Sequence, residues 1–190
     1  AYSENKEDVT WQQNFFIFFA SREGKVKKTA LSDFANVRRG GIIAIKIVPG
    51  DNLIEARFTS GQNDVVLITS NGQSIRFHEE DVRTMGRSAA GVRGIRLGKE
   101  DHVIALAIAD PEATLLVVGE NGVGKRTEFD EYRVQSRGGK GIITMKTTKK
   151  TGKVVGALTV HDHDEIMVIT VGGQMVRTSV KGIRQTGRNA

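Results

Sequence analysis

The sequence predicts an all-β fold, a β-propeller assembled from four-stranded blades of about 50 residues each. Three observations lead there: a repeat at a fixed period, apolar runs rich in Val, Ile and Thr that end in turn chemistry, and no strong amphipathic helix. Gly24, Gly72, Gly122 and Gly173 stand 48, 50 and 51 residues apart. An apolar run precedes each of them: FFIFFA, VVLIT, LLVV and IMVIT. A basic side chain follows each at the fourth residue (Lys28, Arg76, Arg126, Arg177). A large apolar group follows at the tenth (Phe34, Val82, Tyr132, Ile183) and an arginine at the fifteenth (Arg39, Arg87, Arg137, Arg188). Fixed periods of ~20–50 residues mark architectures in which each unit buries its faces against the next.

Taken in order, residues 15–20 form the most apolar stretch and read as a buried strand, too short for a membrane span. Ile42–Ile47 and Val154–Leu158 alternate apolar and polar residues and also read as strands. Pro49-Gly50-Asp51-Asn52, Asn71-Gly72, Asn121-Gly122 and Gly172-Gly173 read as turns, with Asn-Gly and Gly-Gly supplying the positive φ of tight hairpins. Segments near 81–90 and 130–140 are polar and Gly-rich and read as long loops. The expected organisation is a poorly placed N-terminal segment at 1–12 and one repeat domain at 13–190. Its repeats run over about 13–60, 61–110, 111–161 and a partial 162–190. That amounts to roughly three and a half units, against four to eight blades in closed propellers, so an excised or incomplete array is expected.

The chain has 190 residues, 38% hydrophobic and 6% aromatic, so its core is built mainly from Val, Ile, Leu and Ala. Lys and Arg number 28 against 22 acids, a net charge of +6 that favours polyanionic partners. With no cysteine, disulfides and thiolate metal sites are excluded.

An arginine at one offset in every blade stands at one equivalent place around the rim, so successive blades present a curved row of cations. Guanidinium groups donate forked hydrogen bonds to phosphate oxygens, and flanking glycines let backbone N–H groups approach as well. The candidate duplex-DNA contacts are therefore Arg38, Arg39, Arg87, Arg93, Arg137, Lys140, Arg184 and Arg188. Lys28, Arg76, Arg126 and Arg177 form a secondary basic set within a strand, where pairing to an acid is the competing account.

Gln135, Ser136, Arg137, Gly138, Gly139, Lys140 and Gly141 resemble the gyrase A box, a Gln-Arg-Arg-Gly-Gly-Lys-Gly heptad in the C-terminal domain of the DNA gyrase A subunit; Ser136 replaces the first Arg. Residues 91–98, 124–127 and 186–189 are similar to later blades of that domain. The resemblance covers roughly residues 17–190. It implies a six-bladed β-pinwheel whose basic rim wraps double-stranded DNA in support of negative supercoiling. It also implies a non-catalytic role in an A2B2 holoenzyme of the bacterial cytoplasm, beside the B subunit and the N-terminal breakage-reunion domain of the A subunit. No cofactor is expected in this chain, since ATP and Mg act in other parts of that holoenzyme. Neither Tyr2 nor Tyr132 sits in a context resembling the active tyrosine. No membrane partner is expected, and the isolated domain is expected to be a monomer. The resembled family carries its principal box in the first blade, whereas here the heptad follows two earlier repeats.

Rival readings remain open. The C-terminal domain of the topoisomerase IV A subunit shares the architecture, and a propeller can instead serve as a protein-interaction module. An enzyme would need a site. His161-Asp162-His163-Asp164-Glu165 is the most suggestive cluster, but it falls between two predicted strands and reads as an acidic turn.

Overall fold

The computed structural model describes residues 14–190, so the N-terminal segment expected at 1–12 lies outside the described residues. Thirteen strands follow one another: β1 Phe16–Ser21, β2 Lys25–Ala30, β3 Leu53–Thr59, β4 Asp64–Thr69, β5 Gln73–His78, β6 Val92–Arg93, β7 Val103–Ile108, β8 Thr114–Gly119, β9 Gly124–Glu128, β10 Ile142–Ile143, β11 Val154–Val160, β12 Glu165–Ile169 and β13 Met175–Ser179. A short 3-10 turn follows each hairpin, at Leu31–Phe34, Glu79–Asp81, Phe129–Glu131 and Val180–Gly182.

The strands form four sheets with the orders β3-β1-β2-β6, β10-β5-β4-β7, β11-β8-β9 and β12-β13. Every pairing within them is antiparallel. The first two sheets each contain one strand from a different repeat. β6, from the second repeat, pairs with β2 of the first through Lys25–Arg93 and Val26–Val92. β10, from the third, pairs with β5 of the second through Ile142–Ser74 and Ile143–Gln73. Just before each crossing the tail makes a parallel bridge to the same hairpin: Thr84 to Lys28, Val134 to Arg76 and Gln185 to Arg126. Each tail therefore completes the blade before its own. β7 contacts both β3 and β11, which defines the inner side of the array and leaves the tails at the opposite, outer edge.

The four hairpins close alike. The N–H of Gly24, Gly72, Gly122 and Gly173 donates to the carbonyl of Ser21, Thr69, Gly119 and Thr170, at 2.9–3.1 Å. These glycines have φ of +77 to +79, and the residue before each, Glu23, Asn71, Asn121 or Gly172, does not share the positive value. The turn is thus a tight one followed by a left-handed glycine, and not the two-residue pair with both φ positive that Asn-Gly suggests.

Blades stack through three apolar interfaces. Phe18, Ala20 and Val26 of the first blade meet Val65, Leu67, Ile75 and Phe77 of the second. Val66 and Ile68, on the other face of that second blade, meet Leu115, Val117 and Tyr132 of the third. Leu116 meets Val180 and Ile166 of the fourth. A strand covered on both faces has no polar side to present, which is why β4 and β8 read as unbroken apolar runs. The hairpin β12-β13 differs: Met167 and Ile169 are 63% and 66% exposed, where their counterparts Val66 and Ile68 are 0%.

One expected strand is absent. Residues 41–48 carry no strand assignment, although Ile42–Ile47 alternates. They are the tail of the first repeat, and among the described residues no earlier blade offers them an edge. The expectation for Val154–Leu158 agrees with β11.

Candidate nucleic-acid interface

The outer edge is built by the four tails. Each tail folds a tight turn, closed by Gly41 N–H to Arg38 O at 2.9 Å, Ala89 N–H to Gly86 O at 3.2 Å and Ala190 N–H to Gly187 O at 3.2 Å. Arg39, Arg87 and Arg188 occupy the second position of these turns, and Arg137 holds the same position in the turn of the third tail. The arginines at the fifteenth offset therefore have one structural address.

Each turn arginine after the first reaches back to the preceding tail. Arg87 Nη1 donates to Ile43 O at 3.1 Å. Arg137 donates from Nε to Asp81 O at 2.8 Å and from Nη1 to Arg93 O at 3.0 Å. Arg188 donates from Nε to Glu131 O at 3.2 Å and from Nη1 to Ile143 O. Backbone bonds reinforce the links: Lys46 N–H to Ala89 O at 3.1 Å, Arg96 N–H to Gly139 O at 2.8 Å and Gly138 N–H to Gly94 O at 2.6 Å. The tails form one ladder, and the acceptors are carbonyls, so the arginines keep their charge unneutralised and their side chains part-exposed.

The box-like loop belongs to this ladder. Gln135 N–H donates to Arg76 O at 2.8 Å. Gly141 holds φ +78 against β5, where a Cβ would lie 2.2 Å from Ser74 O. Glycine is required there by both conformation and space. Gly139 packs on Ile75, and Ser136 and Lys140 are exposed. Arg38, Arg39, Arg93 and Arg184 are exposed on the same edge. Arg38 and Arg87 line an open groove of about 640 Å³ between the first two tails.

The secondary basic set lies elsewhere. Lys28 is buried, with Nζ donating to Glu79 O at 3.0 Å and lying 3.9 Å from the buried Glu79 carboxylate. Arg76 donates to Asp64 at 2.8 Å and to the carbonyls of Phe129 and Tyr132. Arg126, also buried, donates to Ile183 O at 2.9 Å and pairs with Asp162. Arg177 pairs with Glu165. The first three clamp the 3-10 turn of the following blade, so their charge is committed between blades.

Two further buried cations support the tails. Lys27 Nζ donates to Ala44 O, Gly86 O and Arg87 O at 2.5–3.1 Å, and Lys125 Nζ to Gly187 O, Arg188 O and Ala190 O at 2.7–3.1 Å. Burial holds both ammonium groups below the usual lysine value, assisted by the nearby guanidinium of Arg87 or Arg188. Under the box-like loop the equivalent residue is Ile75.

Sequence reasoning named Arg184 as a candidate contact but overlooked the phase of two basic sets. Lys46, Arg96 and Lys146 share one position on successive tails, and Arg83, Arg133 and Arg184 share another; all six are exposed. The available signal was wider phasing, together with the absence of Asp and Glu from residues 34–50, 82–99, 132–161 and 166–190.

The cluster at 161–165 is the β11–β12 turn. Asp164 accepts from His161 N–H at 2.8 Å, and His161 Nε2 lies 3.0 Å from Asp110 Oδ2. That hydrogen bond raises the His161 pKa, and Asp110 is held low, first by the Glu112 N–H and then by His161. Among the described residues no group of three or more His, Cys, Asp or Glu is placed to hold a metal ion, and no helix is long and apolar enough to cross a membrane.

These features define a class: a strand-exchanged β-propeller array with a cationic outer edge. A family model described as the DNA gyrase C-terminal domain, beta-propeller, matches residues 16–60, 63–110, 113–161 and 164–190. The chain belongs to that family. It is 46% identical over 179 residues to the DNA gyrase A subunit of Salmonella typhimurium and 45% identical over 175 residues to that of Mycolicibacterium smegmatis. These alignments cover 94% and 91% of this chain but only 20% and 21% of the relatives, so the chain spans about one fifth of their length. Among solved structures, the C-terminal domain of DNA topoisomerase IV aligns with a TM-score of 0.88 at 25% identity, covering 95% of this chain and 57% of that one. The DNA gyrase A C-terminal domain aligns at 0.84 and 27%, covering 94% and 60%.

Proposed function

We propose that this chain is a non-catalytic module that binds duplex DNA along its tails and bends it over the outer edge, in support of negative supercoiling by a type II topoisomerase. The carrying observation is the carbonyl-linked ladder of turn arginines Arg87, Arg137 and Arg188 within segments that contain no acid. Arg39 continues the row at the first tail; Arg38, Arg93, Lys140 and Arg184 flank it, and Lys46, Arg96 and Lys146 add a second row. Backbone-directed cations give affinity with little sequence preference. Bending ~20–30 bp by 40–90° costs on the order of 1–6 kcal/mol, which several phosphate contacts offset. In this reading strand cleavage and ATP hydrolysis belong elsewhere in an A2B2 assembly of the bacterial cytoplasm: to the breakage-reunion domain of the A subunit, and to the B subunit. The chain itself takes no cofactor.

The test is a duplex titration at two ionic strengths. With six to ten phosphate contacts, affinity falls by about 10³–10⁵ between 50 and 200 mM salt, alike on unrelated sequences. A flat salt response removes the electrostatic mechanism. Relaxing circular DNA with the chain bound and then stripping the protein reports the writhe it imposed. The alignment with topoisomerase IV, together with Ser136 in the box-like loop, supports a second reading: recognition of DNA geometry without extensive wrapping. Weak binding selective for crossed duplexes, with no retained writhe, distinguishes it.

A further inference from the structure

The turns that carry Arg87 and Arg137 occupy equivalent places on the outer edge but hold their central peptides in opposite senses, and the residue beneath each turn differs. We propose that Lys27 orients the Gly86–Ala89 turn so that two consecutive backbone N–H groups, those of Arg87 and Ser88, form a phosphate site that the box-like loop lacks. The source of the phosphate rests on the DNA reading, whereas the site itself is testable with inorganic phosphate alone.

Lys27 is 0% exposed. Its Nζ donates to Gly86 O at 3.1 Å, to Arg87 O at 2.8 Å and to Ala44 O of the first tail at 2.5 Å. In a trans peptide the N–H points opposite to the carbonyl it is joined to. Drawing the carbonyls of Gly86 and Arg87 onto the buried ammonium therefore turns the N–H groups of Arg87 and Ser88 away from the protein. Neither N–H donates to any group among the described residues, and Ser88 is exposed. Neither residue has a positive φ, and Ala89 N–H donates to Gly86 O at 3.2 Å, which makes the turn type I. Successive outward N–H groups form an anion-binding concavity. This one lies beside the Arg87 guanidinium, in a segment with no acid from 82 to 99. Lys125 repeats the arrangement: its Nζ donates to Gly187 O at 2.9 Å and Arg188 O at 2.7 Å, which turns the N–H groups of Arg188 and Asn189 outward.

The third tail shows the alternative. Beneath Ser136–Gly139 stands Ile75, which is buried and has no side-chain donor. Gly138 takes φ +83, and its N–H donates to Gly94 O at 2.6 Å. Gly94 holds the position on its tail that Ala44 holds on the first, so an N–H here fills the place that the Lys27 ammonium fills there. The peptide joining Arg137 to Gly138 is thereby reversed, and Arg137 O faces outward where the second tail presents Ser88 N–H. An outward carbonyl repels a phosphate, so the box-like loop is left to its side chains, Arg137 and Lys140. Lys27 touches no ligand; it is a positioning residue.

The test follows backbone amide signals by NMR as inorganic phosphate is added at constant ionic strength. Those of Arg87 and Ser88 should shift along a saturable curve while that of Gly138 stays still. In Lys27→Met, checked for retained fold by circular dichroism, the shifts should fall to the Gly138 level. Arg87→Pro and Arg87→Ala form a second arm that leaves Lys27 in place, and this pair decides if Lys27→Met does not fold. Both lose the guanidinium, and proline suits the second position of a type I turn, so the two differ chiefly in the N–H. Arg87→Pro should bind duplex DNA more weakly than Arg87→Ala by about threefold to tenfold, the worth of one hydrogen bond. Shifts at Arg87 and Ser88 no larger than at Gly138, shifts retained in folded Lys27→Met, or equal measurable duplex affinities of the two Arg87 variants overturn the proposal. Saturable phosphate shifts that Lys27→Met abolishes, in a chain that binds no duplex, uphold the site and overturn the DNA reading instead.

Discussion

A guanidinium that bonds carbonyls and still keeps its charge can serve structure and ligand together. Arg137 uses Nε and Nη1 on two acceptors from the second repeat. A lysine has one ammonium and cannot span both with the same fork. Arg137→Lys should therefore cost about 1 kcal/mol of stability in chemical denaturation and lower DNA affinity, although formal charge is unchanged. Arg133→Lys, at an exposed position on the same tail, should leave both nearly unaltered. The phase of the turn arginines was legible because a side-chain type recurring at one offset survives without coordinates. The inward set was harder to place, because alternation in a strand shows two faces without showing that the next repeat covers one of them. Lys28 and Arg126 look solvated in the sequence and are buried in the fold. His161 supplies a pH-dependent contact at the β11–β12 turn. Its folded pKa is raised, so its stabilising contribution is present below the unfolded value near 6.5 and is lost as pH rises through the folded value. The difference in melting temperature between the native chain and His161→Gln should be larger near pH 5.5 than near pH 8.5; equal differences would show that the Asp110 contact is inert.

Among the elements, the hairpin turns separate conformation from crowding. Gly72 and Gly122 have nearly the same φ, +78 and +77. A Cβ on Gly72 would sit 2.0 Å from Met145 O, part of the incoming third tail, whereas one on Gly122 meets nothing within 4 Å. Gly122→Ala should cost only the left-handed penalty of about 1–2 kcal/mol. Gly72→Ala should cost clearly more, because backbone must move, and equal losses in urea melts would refute the assignment. The hairpins and their glycines were readable from sequence, but the turn type was not, since Asn71-Gly72 fits both a two-residue loop with both φ positive and a turn over Ser70-Asn71 that a left-handed Gly72 follows. β6 and β10 were unreadable for another reason: two residues carry no periodicity, and they sit inside Gly-rich segments that read as loops. Ile42–Ile47 shows the converse, where alternation exists and no partner edge is present among the described residues.

Over the whole molecule the period of 48–51 residues made the propeller legible, because every unit must bury both faces of its sheet. Charge is organised at this scale too. The acid-free tails lie on the outer edge, and most acids fall in the 3-10 turns and the inter-strand turns. Replacing Lys46, Arg96 and Lys146 together by Ala should flatten the log–log dependence of DNA affinity on salt by about 0.9 for each phosphate no longer neutralised. An unchanged slope would mean that the second row does not touch DNA. The common phase of these three was missed in the sequence because the first tail is two residues shorter than the others, which shifts Lys46 out of phase with Arg96 and Lys146 when counted from the hairpin glycine.

Because every connector finishes its neighbour, the stretch that a gene duplicates and the body that folds are out of step by part of a unit. A duplicated repeat arrives with the clasp that fastens it to the one upstream, so such an array can lengthen without inventing a new joint. Excising an internal repeat is less forgiving: the surviving clasp must close on a stranger, and success depends on whether it meets a lysine such as Lys27 or Lys125, or an apolar residue such as Ile75.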